Sequence, residues 1–148
     1  MNEWWAVAMM ISGGLFAGGV VSIALERVPA WRRTDLPDFR TGFAHTLRRV
    51  DRLQPALLSI CLASTIGFAA TTEGTARTLA VLAAAGFLSI LGGSVAWLVP
   101  IQRNLVRSGS KRPAADVERM RTRWLRGHLI RTVAAVALFI VAVVASTR

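Results

Sequence analysis

Four long stretches of the sequence contain almost no charge, and they constrain the fold more than any other feature. Trp4–Leu25, Leu53–Thr72 and Thr78–Gln102 carry no charged residue, and Gly127–Thr147 carries only Arg131. About 20 mostly apolar residues suffice for a helix to cross a bilayer. The sequence therefore predicts an all-α, polytopic bundle of four transmembrane helices, at approximately 4–26, 53–72, 78–102 and 126–147, within a single domain of residues 1–148.

The basic residues between these stretches predict the orientation of the helices. The connection Glu26–Arg52 contains seven arginines, and Arg103–Arg126 contains seven arginines and Lys111, whereas the opposite side has only Arg77 and Arg148. Basic loops are retained in the cytoplasm. We therefore expect a multi-pass protein of the bacterial cytoplasmic (inner) membrane, with both long loops in the cytoplasm and both termini outside.

The formal net charge of +10 does not indicate nucleic-acid binding, because it is confined to the gaps between apolar stretches. Nucleic-acid-binding proteins carry such charge as a continuous patch. The sequence therefore predicts that the protein interacts with the lipid bilayer and not with nucleic acid. A homo-oligomer is compatible with the sequence. The single cysteine, Cys61, excludes an internal disulfide and a cysteine-based zinc motif.

The first loop and the small residues add local predictions. Phe43, Leu47 and Val50 recur at helical spacing among arginines, which predicts a short amphipathic interfacial helix. A charged helical segment from Asp116 is expected to run into helix four. The segment around Ser108–Pro113 is expected to be flexible, and Thr72–Ala76 to form a tight hairpin. On helix one, three small residues and a glutamate recur every four residues: Gly14, Gly18, Ser22 and Glu26. This spacing predicts a face that packs closely against another helix.

Several polar residues gather at the arginine-rich boundary of the predicted bundle. Trp124, His128 and Arg131 share one face of helix four because they are spaced i, i+4 and i+7. An ionisable residue inside a span faces the bundle interior or water, and Glu26 is the expected counter-charge of Arg131. The candidate catalytic residues are His128, Arg131, Glu26 and His45, and the candidate substrate-binding residues are Trp124, Trp97, Gln102 and Asn104.

Each of these residues also has a structural interpretation. Trp124 fits an interfacial anchor, Arg131 fits a side chain that reaches towards headgroups, and Glu26 with Arg131 fits a purely structural ion pair. His45 falls on the arginine face of the amphipathic helix, opposite Phe43. No nucleotide-binding loop, HExxH motif or nucleophile elbow is present in the sequence.

The stretch from Trp124 to Thr132 resembles the W-x-x-x-H-x-x-R-T signature of the anthrone oxygenase-like membrane proteins, a family built of four membrane helices. Three other stretches resemble that family as well: Gly13–Ala30, His45–Asp51 with Pro55, and Val99–Gln102. The sequence departs from the family at Gln102, where the family has an asparagine; an asparagine follows here at Asn104.

The resemblance implies oxygenation of an anthrone to an anthraquinone, with O2 as co-substrate and without a cofactor. His128 or His45 would remove the acidic benzylic proton, and Arg131 would stabilise the resulting oxyanion. Trp124 or Trp97 would stack on the flat ring system. The substrate is then a hydrophobic aromatic molecule that partitions into the bilayer.

Two other classes of function stay open. In the first, the protein is a non-enzymatic accessory or small-molecule-binding component whose polar cluster only stabilises the bundle. In the second, it binds haem or a metal through His45 and His128; the two histidines and one cysteine are few ligands for such a site. A transporter is disfavoured because no inverted repeat or interrupted span is recognisable in the sequence.

Overall fold

The computed structural model describes residues 2–50, 53–107 and 112–148, with side chains for all of these except 2 and 48–50. This part of the chain forms five helices and no strand. Helix α1 consists of Asn2–Ser22, a π-helical turn at Ile23–Arg27, and Val28–Arg33. The others are α2 (Leu36–Val50), α3 (Leu53–Thr71), α4 (Gly74–Gly93, a π-helical turn at Ser94–Leu98, and Val99–Arg107) and α5 (Ala114–Ser146).

Helices α1, α3, α4 and α5 are long and apolar enough to cross a membrane, which confirms the predicted all-α polytopic bundle. Helix α1 packs on α3 and α5, and so does α4, so that α1 and α4 lie diagonally across the bundle. The link between α3 and α4 is only Thr72–Glu73, followed by Gly74 at φ +61°, a conformation that glycine adopts without strain. We call this the hairpin end, and the opposite end, with α2 and the long connections, the arginine-rich end.

The packed face of α1 differs from the predicted one. Gly14 lies near Phe139 of α5, but Gly18 has no neighbouring atom where a Cβ would stand, and Ser22 and Glu26 are exposed. A spacing of four residues drifts by about 40° per step around a helix of 3.6 residues per turn. Residues spaced by four therefore turn away from the helix interface after Gly14. The buried face instead follows Met9, Ser12, Gly13, Phe16, Ala17 and Val20.

Both α1 and α4 continue beyond the apolar stretches that predicted them, and both contain a π-helical turn just before a Val-Pro pair. The Val28 N–H donates to the Ile23 carbonyl before Pro29, and the Val99 N–H donates to the Ser94 carbonyl before Pro100. Proline has no N–H and its ring collides with the carbonyl four residues earlier. The wider turn accommodates each proline, so that each helix extends past it.

The amphipathic helix α2 is confirmed, and its apolar side is buried in protein. Phe39 and Phe43 are both fully buried in a cluster with Trp31 of α1 and Trp124 of α5. We call Trp31, Phe39, Phe43 and Trp124 the aromatic cluster. Because it covers these phenyl rings, α2 closes the arginine-rich end of the bundle.

Helix α5 includes the predicted charged segment, which runs without a break from Ala114 into the apolar stretch. Ion pairs between Arg119 and Asp116 and between Arg121 and Glu118 lie in this segment. Of the flexible segment predicted around Ser108–Pro113, residues 108–111 lie outside the described residues. The side chain of Val50 and the residue Asp51 lie outside them as well.

We expect Gly86→Leu to destabilise the bundle by about 1–3 kcal/mol, because the new side chain would overpack the α4–α5 interface. A Cβ at Gly86 would already collide with Leu138. Gly92→Leu is the matched control on the same helix, since no atom lies within 4 Å of a Cβ built there. Reversible unfolding in mixed micelles would measure both variants, and equal stabilities would contradict this packing.

Candidate functional site

A cavity lies between the helices at the arginine-rich end and occupies about 730 Å³, including the space at its open mouth. All five helices contribute to its wall. The apolar lining residues are Phe16, Ile23, Trp31, Leu47, Pro55, Leu58, Leu91, Val95, Leu98 and Val99. The residues that bring polar groups to it are Thr46, Gln54, Ser94, Gln102, Trp124 and Arg131. A largely apolar pocket with a few polar groups is typical of a small-molecule site.

The two π-helical turns shape this cavity. The turn in α1 supplies Ile23, and the turn in α4 supplies Ser94, Val95 and Leu98. The turn in α4 approaches α5 closely at Gly127, where a Cβ would stand only 2.6 Å from Leu98 Cδ2. Turns of this type often occur at functional sites because they redirect side chains.

Two residues of the cavity wall, one on α3 and one on α4, also reach the outer surface of the bundle. Pro55 of α3 and Val95 of α4 line the cavity and are themselves exposed on the outside of the bundle. Both side chains are apolar, and both helices are of membrane-spanning length. This part of the wall therefore suits a hydrophobic molecule that approaches from the side of the bundle.

Behind the cavity wall, His128 connects α5 to α1. Its ring is fully buried; Nε2 lies 3.2 Å from the Val20 carbonyl oxygen and Nδ1 lies 2.9 Å from Arg131 Nη2. A carbonyl oxygen only accepts and a guanidinium only donates. Nε2 therefore carries the proton and donates to Val20, and Nδ1 accepts from Arg131, so that both ring nitrogens are occupied.

The indole of Trp124 is fixed by its neighbours. It stacks on the His128 ring at 5.1 Å with an angle of 8° between the planes. Trp31 and Phe43 meet it edge to face, at 5.8 and 4.8 Å. Because His128 occupies one face and Trp31 and Phe43 pack edge to face against the ring, Trp124 is held in one orientation.

Gln54 is a cavity residue that the sequence analysis missed. It lies in the first turn of α3, is 8% exposed and lines the cavity. None of the predicted site residues lies on α3, where Gln54 precedes Pro55 at the helix start. An uncharged amide inside an apolar stretch was the available signal, since polar side chains at membrane depth are costly without a partner.

The structure brings together only part of the predicted site. Trp124, Arg131 and Gln102 line the cavity, and His128 lies directly behind them. Four other predicted residues are exposed: Glu26, His45, Trp97 and Asn104. Within the described residues, Glu26 forms no ion pair, so the predicted Glu26–Arg131 pair is wrong. The drift of the four-residue spacing and the π-helical turn place Glu26 on the outer side of α1.

No group of three or more His, Cys, Asp or Glu side chains that could hold a metal ion occurs in residues 2–50, 53–107 and 112–148. The polar groups at the cavity are amides, hydroxyls, an indole N–H and a guanidinium. These groups bind oxygen atoms of organic ligands by hydrogen bonding.

A comparison with family models matches residues 43–141 to the anthrone oxygenase family. The match spans about two thirds of the chain. The chain belongs to the anthrone oxygenase family. The matched segment contains most of the cavity wall, including Gln54, Gln102, Trp124 and Arg131, together with His128. No curated protein and no solved structure matches the chain.

The family segment begins at Phe43, so that the whole of α1 lies before it. The first helix nevertheless contributes Phe16, Ile23 and Trp31 to the cavity wall and the Val20 carbonyl to His128. The resemblance of Gly13–Ala30 to the first helix of the family stays a prediction.

We expect His128→Leu to destabilise the protein by about 1–3 kcal/mol, because the buried Val20 carbonyl and the Arg131 guanidinium each lose a hydrogen-bond partner. Thr132→Val is the matched comparison on the same face. The Thr132 hydroxyl lies 2.8 Å from the His128 carbonyl oxygen of its own helix and 3.4 Å from the Val20 carbonyl oxygen. Its removal should therefore lower the free energy of unfolding by less than about 1 kcal/mol. Chemical unfolding would measure both variants; a larger loss for Thr132→Val would contradict this assignment.

Proposed function

We propose that the protein oxygenates a hydrophobic, anthrone-type aromatic molecule bound in the cavity at the arginine-rich end. The observation that carries this proposal is the Arg131 guanidinium in the wall of an otherwise mostly apolar cavity, backed by the buried ring of His128. A fixed positive charge in a water-poor site stabilises an oxyanion far more than it would in bulk water. Membership of the anthrone oxygenase family supports the same reaction.

The reaction converts the ring CH2 group of an anthrone and one O2 into a ring carbonyl and one water. The benzylic C–H bond breaks first, its proton passes to water at the arginine-rich end, and an enolate remains. The enolate transfers an electron to O2, and recombination of the two radicals forms a carbon–oxygen bond and, with a proton, a hydroperoxide. Loss of the second C–H proton then breaks the O–O bond, water departs, and the quinone carbonyl forms.

Arg131 binds the enolate oxygen in this scheme. It cannot remove the proton, because a guanidinium stays protonated. We assign a positioning role to His128, in place of the base role predicted from the sequence, since both of its ring nitrogens already have hydrogen-bond partners. His128 would hold the guanidinium of Arg131 in the orientation that meets the oxyanion.

We further propose that the arginine-rich end is cytoplasmic and that the termini lie outside a bacterial inner membrane. The distribution of basic residues, fifteen in the two long connections against Arg77 and Arg148 on the other side, supports this orientation. Substrate and O2 both partition into a bilayer, and in this proposal they enter from there between Pro55 of α3 and Val95 of α4.

A turnover assay with anthrone and O2, using protein in nanodiscs, tests the oxygenase proposal. We expect Arg131→Leu to lower kcat by roughly 10²–10³-fold, the usual effect of removing an oxyanion donor. His128→Leu should lower kcat with little change in KM. His128→Asn should recover part of the rate, because its amide oxygen accepts from Arg131 where Nδ1 does.

Arg126→Gln is the control for the loss of a positive charge on α5, because Arg126 is exposed and does not line the cavity. It should turn over at the wild-type rate. An Arg131→Leu variant with that same rate would rule out the oxyanion role. A wild-type protein without turnover would favour the non-enzymatic binding function.

The orientation is tested by labelling single cysteines in a Cys61→Ala background with an impermeant maleimide on intact cells. Thr75→Cys at the hairpin end should react, whereas Asp38→Cys on α2 should react only after lysis. Both positions are exposed. Labelling of Asp38→Cys alone in intact cells would reverse the proposed topology.

A further inference from the structure

Two buried polar atoms at the cavity have no hydrogen-bond partner within the described part of the protein. They are Oε1 of Gln54 and Nε1 of Trp124. Both residues are more than nine-tenths buried and both line the cavity. A buried polar group without a partner is rare in native structures, because its desolvation is not compensated. Two such atoms at one cavity therefore indicate a ligand that supplies both partners.

The amide of Gln54 is oriented by α1. A Cβ built at Gly19 would collide with Gln54 Nε2, whereas it would stand 3.8 Å from Oε1. The amide nitrogen therefore lies against the bare backbone of Gly19, and the carbonyl oxygen is turned away from it. Glycine at this position gives the Gln54 amide its space, and the acceptor that remains is Oε1.

The indole of Trp124 contributes its N–H rather than a ring face. His128 is stacked on one face, and Trp31 and Phe43 pack around the ring. An arriving aromatic ligand thus cannot displace these neighbours without disrupting the cluster that closes the arginine-rich end. The indole N–H is a hydrogen-bond donor without an acceptor. A ligand oxygen can accept this hydrogen bond.

We propose that Gln54 is a specificity-determining residue that, with Trp124, selects aromatic ligands carrying a hydroxyl group. The Gln54 carbonyl accepts a hydrogen bond from the ligand hydroxyl, and the Trp124 N–H donates to a ligand oxygen. That this preference acts on the substrate of a reaction rests on the proposed oxygenase function. The binding preference itself does not depend on that function.

Two quinones that differ in one group test this proposal by binding alone, without turnover. 2-Hydroxyanthraquinone carries a hydroxyl that is too far from the ring carbonyls to bond to them, and 2-methylanthraquinone replaces it with a methyl group of similar size. We expect wild-type protein in nanodiscs to bind the hydroxylated quinone roughly 10- to 100-fold more tightly, the range set by leaving one buried polar group unpaired. Equal affinities would overturn the proposal.

Gln54→Met removes the acceptor at nearly constant volume, and we expect it to abolish this preference. Its unfolding midpoint without ligand should equal or exceed that of the wild type, because an uncompensated polar atom has been removed. A purely structural glutamine would instead show a lower midpoint and an unchanged preference, and that result would overturn the proposal.

Two neighbouring glycines of α1 provide a matched pair that leaves Gln54 itself intact. Gly19→Ala should weaken the preference, because the new Cβ displaces the amide. Gly18→Ala should retain it, since no atom lies within 4 Å of that position. Equal preference in both variants would overturn the orientation argued for Gln54. If the binding preference holds and anthrone is not oxidised, the oxygenase proposal fails and the assignment of Gln54 stands.

Discussion

The buried hydrogen bonds of His128 determine how the arginine-rich end of the bundle is assembled. The ring donates to the Val20 carbonyl of α1 and accepts from Arg131 on its own helix, while its face supports Trp124. In a membrane, helices gain little from burying apolar side chains, and interhelical polar contacts and close packing must define their arrangement. A single neutral imidazole thus fixes the distance between two helices, the direction of a guanidinium and the plane of an indole.

The π-helical turns supply the space that this arrangement encloses. Backbone groups at membrane depth must be paired within the protein, and Pro29 and Pro100 each remove one donor. Wider turns before both prolines let α1 and α4 continue, and the same turns carry Ile23, Ser94 and Leu98 to the cavity. The accommodation of two prolines and the formation of the cavity are therefore one structural solution.

Site residues on a single helix could be predicted from the sequence, and those that depend on two helices could not. Trp124, His128 and Arg131 follow from the helical repeat alone, and all three lie at or directly behind the cavity. The predicted pairing of Glu26 with Arg131 was wrong because the two residues lie on different helices. The π-helical turn of α1 changes the direction in which Glu26 points relative to α5. Gln54 was missed because only the position of α3 against Gly19 of α1 distinguishes it from other polar residues at helix ends.

The sequence alone determined the number of spanning helices, the amphipathic helix, and the shared face of α5, because these depend on hydrophobicity and on the period of 3.6 residues, which are local properties. The tertiary structure decided which face of α1 is buried, which nitrogen of His128 carries the proton, and where a cavity remains. These features depend on the relative rotation and separation of helices that are distant in sequence. That rotation and separation are set by packing at Gly19, at Gly127 and at the two π-helical turns. These contacts exist only when the helices are assembled.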